Sequence, residues 1–214
     1  MKNSKGDLGG IIHDTIIIFL ITLIAGLALG YVNEITKEPI KAAEAAAVQK
    51  AYQAIFPSAS KFEGSDNDAF AVKSSAKLLT DSGNDFGNCY INDAVAAKSS
   101  DGSILGYVVT ATTKDGFGGD IEISLGVDTS GKTTGLEILS ISETAGLGMK
   151  AQNEDWRAQF VGKTVDSFTV TKAGAKDDTE VDAITSATIT SRAVTHAVNA
   201  ALYFAKNSGL EGMQ

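Results

Sequence analysis

Cysteine, histidine and proline are nearly absent from this chain of 214 residues, which has one Cys, two His and two Pro. A single thiol, Cys89, excludes an internal disulfide framework and a cysteine-rich zinc or iron–sulfur site. Cys89 falls in a strand pattern and reads as a buried structural thiol. His13 and His196 are too far apart in sequence to read as a ligand pair. His196 falls on the polar side of a helical pattern, where it reads as a solvated residue. No Cys–His or Ser–His–Asp set offers a nucleophile with its base, so no residue is assigned a catalytic role and none a metal. Positive charge is also scarce. The net charge of −8 argues against a nucleic-acid partner, which requires a basic face.

Against these gaps stands one long uncharged run, Thr15 to Asn33. At about 1.5 Å per residue it spans roughly 28 Å, close to a bilayer core. Tyr31 sits near its end, at headgroup level. Ala28-Leu29-Gly30 passes as a signal-peptide cleavage site, but the apolar run exceeds the about 7–15 residues of a signal peptide and favours a retained anchor. Lys2 and Lys5 precede the run and Lys37, Lys41 and Lys50 follow it, so the positive-inside count does not fix orientation. A short tail before the run and a large acidic body after it fit an N-terminus on the cytoplasmic side. Gly26-x-x-x-Gly30 would let a partner helix approach.

An Ala-rich helix follows, with Ile40, Ala43, Ala47, Ala51, Tyr52 and Ile55 on one side, Pro39 in its first turn and Pro57 as its stop. Ser58 to Asn88 reads as loops and weak strands. From Cys89 the pattern becomes strands: Tyr90-Ile91, Ala94 to Ala96 and Ile104 to Val109 about a turn at Ser99–Gly102, then Ile121 to Val127 and Thr133 to Ile141 about Asp128–Lys132. These pieces predict an antiparallel sheet. Gly116-Phe117-Gly118-Gly119 is a glycine-rich turn with no following G-K-[ST], which excludes a P-loop. Ser142 to Gly148 interrupts the strands with two glycines around Leu147. Met149 to Val161 reads as a helix with Trp156 and Phe160 inward, Trp156 as core. Ser167 to Thr171 reads as a short strand and Lys172 to Thr179 as a charged loop.

The richest stretch is Asp182-Ala-Ile-Thr185-Ser186-Ala187-Thr188-Ile189-Thr190-Ser191, crowded with hydroxyls and free of cations until Arg192. Ala193, Val194, Ala197, Val198, Ala201, Leu202 and Ala205 then recur at helical spacing, which makes Thr190 or Ser191 the expected N-cap. Thr188 sits just before that start, where a phosphate on its oxygen would face the free N–H groups and the positive dipole end.

Asp182-x-x-Thr185-Ser186-Ala187-Thr188 resembles the D-x-x-[ST]-G-A-T motif of the covalent-FMN-binding domain family, with Ser186 in the usual Gly position. Glu143-Thr144-Ala145-Gly146-Leu147-Gly148 resembles the family's E-T-P-G-L-G segment, with Ala145 in place of Pro, and Gly116–Gly119 matches its glycine turn. In this order and over nearly the whole chain, the set resembles the G-subunit family of Rnf ion-translocating electron-transport complexes. The C-subunit family of the sodium-pumping NADH:quinone oxidoreductase is a close relative. The resemblance implies an α+β fold: a single transmembrane helix, then an extracytoplasmic FMN-binding domain of antiparallel sheet and flanking helices. The expected divisions are a cytoplasmic tail 1–10, an anchor 11–33, a connecting helix 34–57 and the FMN-binding domain 58–214. It implies FMN esterified through its phosphate to Thr188, with Thr185, Ser186 and Ala187 shaping the phosphate turn and Glu143, Thr144, Leu147 and Gly148 along the ring. The implied partners are the other proteins of the Rnf complex, a flavin transferase for maturation and the lipid bilayer. The implied role is electron relay in an ion-translocating ferredoxin:NAD oxidoreductase, with no complete active site on this chain. Two other possibilities stay open on sequence: a flavinylated domain of another membrane reductase, and an anchored binding module whose hydroxyl-rich loop only caps a helix.

Overall fold

A computed structural model describes residues 7–211 and 213. The first part of the expected tail, with Lys2 and Lys5, lies outside the described residues. The chain divides into two units, residues 1–47 and 48–214.

The first unit consists of most of helix α1 (Asp7–Ile55). Within it Gly9–Ile55 contains a window of mean hydropathy 2.5 with no buried share, long and apolar enough to cross a membrane. Thr15, Thr22 and Thr36 turn their hydroxyls back onto carbonyls one turn earlier, which hides those groups from an apolar surround. Pro39, expected in a first turn, stands inside α1 instead. Its missing N–H leaves the Ile35 carbonyl without its usual donor, but the flanking residues hold helical geometry.

The second unit is built on a five-stranded antiparallel meander in the order β1 (Lys61–Glu63), β2 (Cys89–Lys98), β3 (Ile104–Thr113), β4 (Ile121–Asp128), β5 (Thr133–Ser140). The alternation along β3 and β4 decides its faces. Tyr107, Val109 and Ala111 stand opposite Val127, Leu125 and Ile123, and all six are buried on one side. Against that side packs α4 (Thr188–Asn207), with Ala193, Val194, Ala197, Val198, Ala201, Leu202 and Phe204 buried. Each fully buried Leu or Phe there stabilises by about 1.5–3 kcal/mol. Small alanines bring the helix close to the sheet. Cys89 opens β2, and burial pushes its thiol up to about 11, which keeps it protonated and unreactive.

The opposite face receives the last turns of α1. Tyr52, Ile55 and Phe56 pack with Ala59, Ala97 and Val108. Gly126 and Gly135, paired across β4 and β5, leave the hollow that admits Ile55. A Cβ on Gly126 would meet Ile55 Cγ2 and Thr134 Oγ1 at 2.2 Å each. Gly126→Ala is therefore expected to lower stability by about 1–3 kcal/mol through overpacking, read as a lower urea midpoint with an unchanged m-value.

Three elements differ from the sequence expectation. Helix α2 (Asp66–Asp81) fills part of the stretch expected as loops and weak strands. A capping box starts it: Ser65 Oγ accepts from Asp68 N at 3.2 Å, and Asp68 accepts from Ser65 N at 2.7 Å. Met149 to Val161 is not one helix but two 3₁₀ turns (Gly148–Gln152 and Ala158–Phe160) around the single α-turn α3 (Glu154–Arg157). Trp156 and Phe160 do point inward, stacked edge-on at 5.3 Å. Finally, β6 (Thr169–Thr171) pairs in parallel with β7 (Glu180–Asp182), three residues that end at the hydroxyl-rich motif.

Candidate functional site

Helix α4 begins three or four residues earlier than the spacing suggests. Thr188 is its first residue, Ala187 is the N-cap, and no side chain caps it. Ser191, an expected cap, is used otherwise. Its buried hydroxyl accepts from Ile184 N and donates to Ala187 O, both at 2.9 Å. This cross-brace pins the motif loop onto the helix. The other end of the loop is tied at Asp182: its N–H donates to Gln159 Oε1 at 2.7 Å and its carbonyl accepts from Trp156 Nε1 at 2.8 Å. Its carboxylate accepts from Ala175 N at 2.8 Å, folding the 172–179 loop back on itself. Trp156 thus holds the motif rather than facing a ligand.

The contrast between the two long helices of the body is informative. The start of α2 carries Asp66, Asp68 and a capping serine; α4 has no acidic residue in its first turn and no cap. Its first N–H groups, on Thr188, Ile189 and Thr190, have no partner within the helix. In a chain of net charge −8 this is a positive helix end left open for an anion.

Above it the two glycine-bearing loops are joined by Glu143. Its side chain is 9% exposed, and Oε1 accepts from Phe117 N at 2.7 Å and Gly118 N at 3.2 Å. The turn Gly116–Gly119 is thereby anchored to the Glu143–Gly148 loop. A Cβ on Gly118 would strike Ser142 O at 2.2 Å; one on Gly148 would meet Thr190 Oγ1 at 2.6 Å and Glu143 Oε2 at 2.7 Å. Both glycines permit close approach of loop to loop and of loop to helix.

These loops and the start of α4 enclose a cleft of about 360 Å³. Seven of the residues singled out from sequence line it: Glu143, Thr144, Leu147, Gly148, Ser186, Ala187 and Thr188. Thr185 is exposed and lies outside the lining. Phe117, Ile189 and Thr190 line it too, although the sequence did not mark them as site residues. Phe117 is 70% exposed, Ile189 55% and Leu147 40%, which gives the cleft a partly exposed apolar rim. Exposed apolar groups around an uncapped helix start fit a flat apolar ring with an anionic tail, and the volume is in the range of cofactor sites. The arrangement therefore suits FMN, whose phosphate would meet the N–H groups of α4 between Thr188 and the motif loop. Glu143 is a brace more than a wall, since its carboxylate is spent on the glycine turn.

One residue departs from its sequence reading. His196 is half-buried, not solvated, and its Nδ1 is enclosed without a hydrogen-bond partner among the described residues. The neighbouring loop at Gly87 covers it, which helical periodicity does not reveal. Ser186 is the sole non-glycine with a left-handed backbone among the described residues, at φ 64°. The motif's usual glycine fits there without strain, and serine does not. Ser186→Gly is expected to hold or raise the stability of the body by up to about 1 kcal/mol, whereas Ser186→Val should lower it by more than that; thermal midpoints of the two variants decide.

Residues 116–203 match the FMN-binding domain family. The chain is 31% identical over 194 residues to the G-subunit of the Na(+)-translocating ferredoxin:NAD(+) oxidoreductase complex of Acetobacterium woodii, covering 90% of each. It is 31% identical over 196 residues to the G-subunit of the ion-translocating oxidoreductase complex of Shewanella baltica, covering 89% of this chain and 88% of that protein. With the G-subunit of the proton-translocating ferredoxin:NAD(+) oxidoreductase complex of Clostridium ljungdahlii the match is 43% over 99 residues, 46% of this chain and 52% of that one. A solved structure, the C-subunit of the Na(+)-translocating NADH-quinone reductase of Parabacteroides distasonis, aligns with TM-score 0.48 and 22% identity, covering 68% of this chain and 75% of that chain.

Fold, cleft and family match together define a membrane-anchored FMN-binding protein of α+β architecture. The chain belongs to the G-subunit family of ion-translocating oxidoreductase complexes.

Proposed function

We propose that this chain is the electron-relay component of a membrane-bound ion-translocating ferredoxin:NAD oxidoreductase of the Rnf type, and that Thr188 Oγ1 carries FMN as a phosphoester. The observation that carries this reading is the place of Thr188: first residue of an uncapped helix, at the lip of a cleft with an apolar rim. Its hydroxyl makes no hydrogen bond among the described residues, so it is available for esterification. A flavin transferase would supply the group from FAD. The Thr188 hydroxyl gives up its proton, the Oγ1–phosphorus bond forms, and AMP leaves with the displaced phosphate oxygen.

When bound, FMN supplies the redox chemistry, and the chain's own residues need only hold and surround it. The N–H groups of Thr188, Ile189 and Thr190 receive the phosphate charge. Thr185 and Ser186 shape the turn before it. Phe117, Leu147 and Ile189 exclude water from the ring, while Thr144 and Gly148 bound the cleft. A covalent tether suits a serial carrier, because a site this open would otherwise lose its cofactor to solution. The anchor is assigned to 11–33, the connector to 34–57 and the FMN-binding domain to 58–214. The N-terminus is placed in the cytoplasm and the body on the outer face, in contact with the lipid bilayer through its anchor and with the other proteins of the complex.

Yellow fluorescence that migrates with the chain through denaturing electrophoresis is the expected result for protein made in its own membranes together with the transferase. A colourless band, with flavin released at the dye front, would rule out the tether.

A further inference from the structure

We propose that Arg192 grips the phosphate held on Thr188; this rests on the assignment of FMN to that residue. Thr188 and Arg192 are four residues apart on α4, so they share one face, about 6 Å apart along the axis. Helical side chains lean toward the N-terminus, so a guanidinium on this face is long enough to reach the level of Thr188 Oγ1. Arg192 itself lines a second and larger opening, a groove of about 690 Å³ between α4, the Asn84–Phe86 loop and Asp166–Val170, which Thr188 does not line.

Three observations set this cation apart. The chain has two arginines, and Arg157 is already committed, with an ion pair to Glu137 and a hydrogen bond to Leu136 O. Lys206, farther along the same groove, is bound to Val165 O at 2.6 Å and Asp166 at 3.2 Å. Arg192 is exposed and has neither a hydrogen bond nor an ion pair among the described residues. Its position is also unfavourable for the helix alone, because a cation in the second turn opposes the dipole, and no acidic residue of the first turn offsets it. A phosphodiester on the first residue reverses that sign. It presents two free oxygens and one negative charge, which the planar fork of an arginine matches in two-pronged fashion and a lysine matches only as a point charge. The helix N–H groups and the guanidinium would then hold the phosphate from two sides.

The test uses the full chain coexpressed with its complex and transferase, as wild type, Arg192→Gln and Arg192→Lys. Two quantities are read: the initial rate at which the Thr188 peptide gains FMN, and the rise in thermal midpoint between unloaded and loaded protein. For Arg192→Gln the rate should fall at least tenfold and the rise in midpoint should shrink by half or more, with the unloaded midpoint level or slightly higher. Arg192→Lys should fall between it and wild type on both, and it decides the matter if the Gln chain does not fold. Wild-type values for Arg192→Gln in both measurements would overturn the proposal. So would a slower rate with an undiminished rise, since the arginine would then serve the transferase and not the phosphate. Absence of FMN from wild-type Thr188 would instead defeat the underlying assignment.

Discussion

Thr188→Ala will abolish covalent FMN while leaving a folded body. The two halves of that result have separate causes. Thr188 Oγ1 is the one hydroxyl at the lip of the cleft that stands on the first residue of α4, and alanine removes the oxygen through which the ester forms. The fold does not depend on that oxygen. The side chain is half-buried, makes no hydrogen bond among the described residues, and caps nothing. Alanine is also the better helix former by up to about 0.7 kcal/mol, so the unloaded midpoint should stay level or rise slightly. Thr188→Ser keeps the oxygen and should load, at reduced extent. Intact mass and denaturing fluorescence give the loading, and circular dichroism the fold. Loss of both fold and flavin would show that Thr188 is structural after all.

Glu143→Ala will have the largest effect on the site's architecture. One buried oxygen accepts two backbone N–H groups, from Phe117 and Gly118. Truncation leaves both donors without a protein acceptor, each at about 1–3 kcal/mol, and water can reach this exposed turn, so a loss of roughly 2 kcal/mol, the low end of the summed range, follows. Gly118 lies against Ser142 O too closely for the turn to close over the gap by shifting inward. The turn should therefore open, taking the exposed Phe117 ring away from the cleft. Glu143→Gln keeps an acceptor oxygen and should lose much less. Hydrogen exchange at the Phe117 and Gly118 amides distinguishes the cases: fast in Glu143→Ala, slow in wild type. Protected amides in Glu143→Ala would remove Glu143 from its bracing role.

Much of this arrangement was legible in the sequence because it rests on local periodicity. The alternation of Ile121, Ile123, Leu125 and Val127 has a single meaning once one face is buried, and Ala193 to Ala205 repeat at the period of a helix packed along one stripe. The order of the glycine turn, the Glu143 loop and the Thr188 motif likewise marked the residues that the fold brings into one cleft.

What stayed hidden depends on contacts across the chain. The start of α4 moved because Ser191, a good cap by type, is engaged with Ile184 and Ala187 instead. Helix α2 escaped notice because its capping box uses aspartate where glutamate or glutamine is usual, within a stretch rich in Gly, Ser and Asn. Pro39 allows either a helix start or an interior site, and only the backbone of the preceding residues decides. Phe117 and Ile189 carried no mark as site residues because exposure is a tertiary property. The strained φ of Ser186 lay in the one motif position where this chain departs from glycine, a departure that names the place but not its backbone angle.

Peptide mass spectrometry of the chain taken from its own membranes bears most directly on the Thr188 ester. Digestion should yield the segment containing Thr188 with the mass of FMN less one water added, and fragmentation should place that mass on Thr188 and on none of Thr185, Ser186 or Thr190. A segment recovered wholly unmodified, or modified on one of those neighbours, would contradict it.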